Sequence, residues 1–168
     1  QWARLVMNEE IGQIVAGLSP AQCDAVEISG SLHAGRPWRS YGRLAYPDFD
    51  ICSSVPDRTF DVVLCEQVLE HVRDPWAAVR TLNSLCRPGG HVVVSTPFLV
   101  RIHNEPTDYW RFTVPGLRLL LESSGLEVLT AQSWGNRACV RANFRHWVRR
   151  RPWQSINFID AHDGFTLR

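Results

Sequence analysis

Apolar positions recur at helical spacing across residues 2–18, where Leu5, Ile11, Ile14, Val15 and Leu18 precede Ser19-Pro20, and they predict a first helix. Asp24–Ile28 is a short apolar run closed by Ser-Gly-Ser and reads as a strand. Residues 29–59 are rich in Gly, Pro, Ser and aromatics, with room for a short strand around Tyr41–Leu44. Phe60–Cys65 has the pattern of a strand buried on both faces. Asp74-Pro75 then marks a helix start, because Asp caps and Pro costs nothing in the first turn. Trp76, Val79, Leu82 and Leu85 form the apolar stripe of that helix, and Pro88-Gly89-Gly90 is expected to stop it. His91–Thr96 reads as a second β-branched strand. Thr113 caps a further helix with Leu117, Leu120 and Leu121 inward, ending at Gly125, and Glu127–Thr130 is strand-like again. Strands alternating with helices at these intervals predict an α/β fold with a mostly parallel sheet.

Composition narrows the class without altering that picture. With 168 residues, 45% of them hydrophobic and 21% charged, the chain can bury a core as one domain spanning 1–168. No apolar run is long enough to cross a bilayer as a helix, so no integral membrane segment is expected. The five cysteines are widely spaced without a C-x-x-C pair, which favours a reducing, cytoplasmic setting over disulfides or zinc. A net charge of +1 supplies no global attraction for nucleic acid. All 18 basic residues are arginine, which fits the codon usage of a GC-rich genome more simply than bidentate anion recognition, and the absence of lysine removes any lysine nucleophile or Schiff base.

Ligands of open parallel sheets bind beyond the carboxyl ends of the strands. Three segments there concentrate polar and aromatic residues: Glu27–Gly35, Cys65–Asp74 and Thr96–Thr113. In the first, Gly30 permits a sharp turn and close backbone approach, and Glu27 can accept hydrogen bonds. In the second, Glu66 and Glu70 fall four apart with His71 adjacent; the plain alternative is a capped loop with solvated carboxylates. No H-E-x-x-H metal spacing and no G-x-G-x-x-G dinucleotide fingerprint occurs, so no metal is expected and a nicotinamide oxidoreductase is remote.

Phe60-Asp61-Val62-Val63-Leu64-Cys65-Glu66-Gln67-Val68-Leu69-Glu70-His71-Val72 resembles the fourth-strand motif of class I S-adenosylmethionine-dependent methyltransferases of the type 11 kind. The likeness continues in order through Asp74-Pro75, Leu85–Gly90, Ser95-Thr96-Pro97, His103–Pro106, Asp108–Thr113, Gly116-Leu117 and Trp134–Arg137. It implies a Rossmann-like three-layer α/β/α sandwich whose first half is abbreviated. It implies S-adenosylmethionine as cofactor, and a small-molecule acceptor methylated on a hydroxyl of a sugar, glycolipid or secondary metabolite. Glu27, Ser29 and Gly30 fall where the family's glycine-rich loop cradles the cofactor, and Cys65, Glu66 and Gln67 where the chain leaving the fourth strand lines its pocket. Asp50, ahead of Asp48, is the candidate for the adenine side.

His103 is the first candidate for a catalytic base, since imidazole titrates near neutrality, with Asp108 and His71 behind it. Tyr109, Trp110 and Arg111 are candidates for the acceptor pocket. The glycine-poor reading of the first loop, Glu27-Ile28-Ser29-Gly30-Ser31, also allows an inactive methyltransferase-like binding or assembly module, and a homodimer is compatible with either. Arg137, Arg141, Arg145 and Arg149 recur at helical steps opposite an apolar face. Ser155–Arg168 locally resembles a segment of glycogen-debranching amylase-family enzymes; Ile156–Ile159 reads there as a last edge strand, or the tail as a foreign junction.

Overall fold

The computed structural model describes residues 2–100, 102, 103, 106–135 and 141. Four strands form one sheet: β1 (Asp24–Ile28), β2 (Ser40–Leu44), β3 (Phe60–Glu66) and β4 (Cys86–Ser95). All neighbouring pairs are parallel and the order is β2-β1-β3-β4. The chain therefore leaves β1 toward one edge and returns to β3 on the other side. That reversal makes the carboxyl ends of β1 and β3 the crevice where such sheets bind ligands.

Alternation along the strands divides the core in two. Ala25, Val62, Leu64 and Val93 pack with Met7, Ile11 and Val15 of α1 (Trp2–Gly17). Val26, Ile28, Val63 and Cys65 face the opposite way, against α2 (Pro75–Leu85) and Leu120 of α3 (Val114–Ser123). The three layers follow from this period-two exchange. Both α2 and α3 start as their sequences predict: Asp74 and Thr113 accept hydrogen bonds from the backbone N–H of Ala77 and Gly116, with a proline inside each first turn. Gly125, at φ +92°, follows the end of α3.

Three expectations are corrected. Pro88-Gly89-Gly90 does not follow the helix as a loop; it lies inside β4, where the register jumps from Phe60↔Cys86 to Val62↔His91 and the extra residues are taken up. Gly89 takes φ +78°, and a side chain on Gly90 would meet the Asp61 carbonyl at 2.8 Å, so only glycine passes here. Glu127–Thr130 forms no strand, and Leu129 there is 71% exposed, without the packing a strand would need. Trp76 is half-exposed rather than part of the buried stripe, standing edge-on to Trp110. The arginine-ridged helix, apart from Arg141, and the segment Ser155–Arg168 lie outside the described residues.

At the amino ends of the strands a charge network ties the sheet together. Arg87 reaches from β4 to Asp24 and Asp61, and Arg39 donates to the same two carboxylates from the far side. These guanidinium partners hold Asp24 far below the ordinary carboxylate range. Among the described residues no helix is long and apolar enough to cross a membrane.

Stability should track this division. Leu82, fully buried between helix and sheet, should lose about 2–5 kcal/mol when changed to Ala, and exposed Leu129→Ala about 0.5 kcal/mol or less, in urea unfolding.

Candidate active site

Glu27 and Glu66 end β1 and β3, and the alternation that buries Ala25, Val62 and Leu64 under α1 sends both carboxylates to the same face. A buried carboxylate must be hydrogen-bonded several times over. Glu27 accepts from the backbone N–H of Leu32 (2.8 Å) and His33 (3.0 Å) and from the Tyr41 hydroxyl (2.8 Å). Burial first, then the adjacent carboxylate, pushes the Tyr41 phenol up, so it stays a donor. The loop after β1 is thereby folded back over its own strand. Ser29 turns it at φ +61°, and a side chain on Gly30 would meet Glu27 Oε1 at 2.3 Å. Glu27 thus shapes the cradle with its carboxylate already engaged, while Ser29 is exposed and Gly30 half-buried at the rim.

The end of β3 is built differently. Gln67 takes φ +56° and donates its N–H to the Ser95 carbonyl at 2.8 Å. Strain in that left-handed region is characteristic of functional turns. Glu66 Oε2, Gln67 Nε2 and Ser95 Oγ are buried polar atoms with no partner among the described residues. Cys65 is fully buried in the core with its thiol pushed up by burial, so the Cys65 side chain does not line the site. Asp50 is occupied by its own turn, accepting from Cys52 N–H and Ser53 Oγ–H. The alternative of solvated carboxylates is excluded: the Glu66 side chain is 8% exposed and Glu70 is fully buried.

The segment after β4 folds over the 3-10 turn Leu69–His71. The Glu70 carbonyl accepts from both Tyr109 N–H (2.7 Å) and Trp110 N–H (3.2 Å), and the Trp110 indole donates to the Val72 carbonyl. This brings together His103, Asp108 and His71. His103 Nδ1 lies 3.2 Å from Asp108 Oδ2, which also accepts the His103 backbone N–H. Asp108 is gripped through both oxygens by Arg111, whose hydrogen bonds hold its carboxyl down at about 2. His71 stands edge-on to His103 with ring centroids 4.9 Å apart and donates Nδ1–H to the Thr107 carbonyl. Ligand atoms of Glu70, His71 and His103 also fall within 4.8 Å of one another, a spacing that a single cation could bridge. Of the three candidates for acceptor contact, Trp110 and Arg111 are engaged in holding the loop, and Tyr109 is exposed, with its hydroxyl accepting from Arg73.

A cleft of about 1670 Å³ runs along the outer edge of β4 between α1 and residues 112–135. Most of its wall is apolar; its polar end, with Gln67, Ser95 and His103, adjoins the site.

Residues 11–147 match the family described as a methyltransferase domain. The chain belongs to this family. The ubiquinone biosynthesis O-methyltransferase of Yersinia pestis (strain Pestoides F) is 43% identical over 63 residues, 38% of this chain and 24% of that protein, and its Yersinia pseudotuberculosis counterpart matches equally. The match thus spans about a quarter of the length of these curated relatives. A solved structure of DhpI with SAH superposes with a TM-score of 0.52 at 18% identity, covering 74% of this chain and 76% of that one, which supports the same Rossmann-like α/β/α fold.

His33, Arg36, Trp38 and Tyr41 hold or line this methyltransferase-domain site without standing out in the sequence. Their one signal is the aromatic-polar density of residues 33–41, which has no periodicity to place it.

The Asp108 carboxyl is depressed on folding, so its contribution to stability is present above its unfolded value of about 4 and is lost as pH falls toward about 2. The stability gap between the parent protein and Asp108→Asn, measured by urea unfolding, should be flat from pH 5 to 7 and close between about pH 4 and about pH 2.

Proposed function

We propose that this domain transfers a methyl group from S-adenosylmethionine to a hydroxyl of a small-molecule acceptor. The observation that carries the reading is the pairing, at the switch point of the sheet, of a tight turn at Gly30, packed so closely on Glu27 that only glycine fits, with three buried polar atoms that have no partner among the described residues. Those residues fit the cofactor: the Gly30 turn lets a ligand approach the backbone, and Glu66, Gln67 and Ser95 supply one acceptor and two donors beside it. When bound, S-adenosylmethionine supplies an electrophilic methyl on a sulfonium.

What the chain contributes is position and a proton acceptor. His103 is the base. With Nδ1 turned toward Asp108, its Nε2 remains to take the proton of an acceptor hydroxyl. Asp108 is a poor base at neutral pH, since Arg111 keeps it ionised down to about 2, and it acts as the residue that orients His103. His71, tied to the Thr107 carbonyl, supports the His103 ring from the side. The apolar cleft beside β4 offers the acceptor a route to the polar end of the site, where His103 lines it. An O-directed reaction also accords with the activity named for the Yersinia relatives.

Ligand binding at 100 times its dissociation constant adds about 2.7 kcal/mol to stability, so S-adenosylhomocysteine should raise the melting temperature clearly; no shift at millimolar ligand would remove the reading. His103→Ala should lower turnover of an accepted hydroxyl substrate about a hundredfold or more with cofactor affinity unchanged. Full turnover in that variant would assign the proton to another acceptor.

A further inference from the structure

His33 spends every polar atom it has. Its N–H donates to Glu27, its carbonyl accepts from the Trp38 indole at 2.9 Å, Arg36 Nε donates to its Nδ1 at 3.1 Å, and its Nε2 meets Glu66 Oε1 at 2.5 Å. Arginine can only donate, so Nδ1 is the acceptor and Nε2 carries the hydrogen that Glu66 receives. Arg36 is in turn anchored on the Gly12 carbonyl of α1, so the ring cannot turn without breaking a chain of bonds from helix to loop to strand. The imidazole is 2% exposed and the Glu66 side chain 8%.

One Glu66 oxygen is thus pinned, while the other, Oε2, is buried without a partner among the described residues. A buried carboxylate oxygen left so is costly unless a donor arrives. Ser95 stands opposite Glu66 in the sheet register, and Gln67 follows it in the chain; their Oγ and Nε2 are likewise buried and unpartnered. An acceptor carrying negative charge beside two neutral donors complements an ammonium and a carboxylate on one carbon.

We propose that His33 is a positioning residue, holding Glu66 so that Oε2 receives the ammonium at the amino-acid end of the cofactor, with Gln67 and Ser95 donating to the carboxylate. The proposal rests on the S-adenosylmethionine reading and says which end of the ligand this corner recognises.

The test compares S-adenosylhomocysteine with 5′-methylthioadenosine, which keeps the adenine and ribose but lacks the amino-acid end. Isothermal titration is run on the parent protein, His33→Ala, His33→Gln and Glu66→Gln. Removing a hydrogen bond to a charged group should cost about tenfold or more in affinity. Glu66→Gln and His33→Ala should therefore weaken S-adenosylhomocysteine about tenfold while leaving 5′-methylthioadenosine within about threefold. His33→Gln, whose amide can stand in for the Nε2–H donor, should restore most of the loss. Should His33→Ala not fold, Glu66→Gln, nearly isosteric, decides alone. Parallel weakening of both ligands, or no weakening of either, overturns the assignment. A parent protein that binds neither ligand overturns the cofactor reading itself, and this inference with it.

Discussion

A carboxylate buried at the end of a central strand needs several donors at once, and meeting that need at Glu27 organises the whole ligand end of the sheet. Two of its donors are consecutive backbone N–H groups, Leu32 and His33, and the third is the Tyr41 hydroxyl on the neighbouring strand. Satisfying Glu27 therefore fixes the path of the loop after β1, places Gly30 over the carboxylate, and delivers the His33 imidazole to Glu66 at the end of β3. One buried charge determines the relative placement of the two strands that flank the switch point. The opposite end of the sheet is held by a different device, the crossed Asp24–Asp61–Arg39–Arg87 network. Because that network lies at the amino ends, sheet integrity and site geometry rest on separate sets of residues.

Elements with a strong local signature were legible in the sequence. Phe60–Glu66 is apolar on both faces because it is covered by helices on both sides, and Asp74-Pro75 and Thr113 cap helices through interactions confined to one turn. Glu127–Thr130 looked strand-like by composition alone, and a strand also needs a neighbour, which composition does not encode. Pro88-Gly89-Gly90 carried a helix-stop signature, but the helix ends at Leu85 and the glycines serve a register shift that is set by β3.

At the site, residue types were readable and their division of labour was not. In the sequence, Glu27 and Asp50 both read as carboxylates available to the cofactor. In the fold, one is the buried hub of a loop and the other closes a turn over four residues on itself. His103 ranks ahead of Asp108 for proton transfer on its titration range alone, and Arg111 on both Asp108 oxygens supplies the structural reason. His33 was passed over because it sits in an irregular loop with no periodicity, two of its partners, Arg36 and Trp38, come from that same loop, and Glu66 is distant in sequence.

The central claim is that the loop shaped by Glu27 and the strand end carrying Glu66 form one cofactor cradle. Hydrogen–deuterium exchange with and without S-adenosylhomocysteine tests it most directly, because it reads ligand contact segment by segment. The account predicts slowed exchange in peptides covering residues 29–36 and 66–71, and no change in peptides covering residues 20–24 and 57–61 at the far end of the sheet. Protection absent from both 29–36 and 66–71 while ligand binds, or found only at the amino ends of the strands, would contradict it.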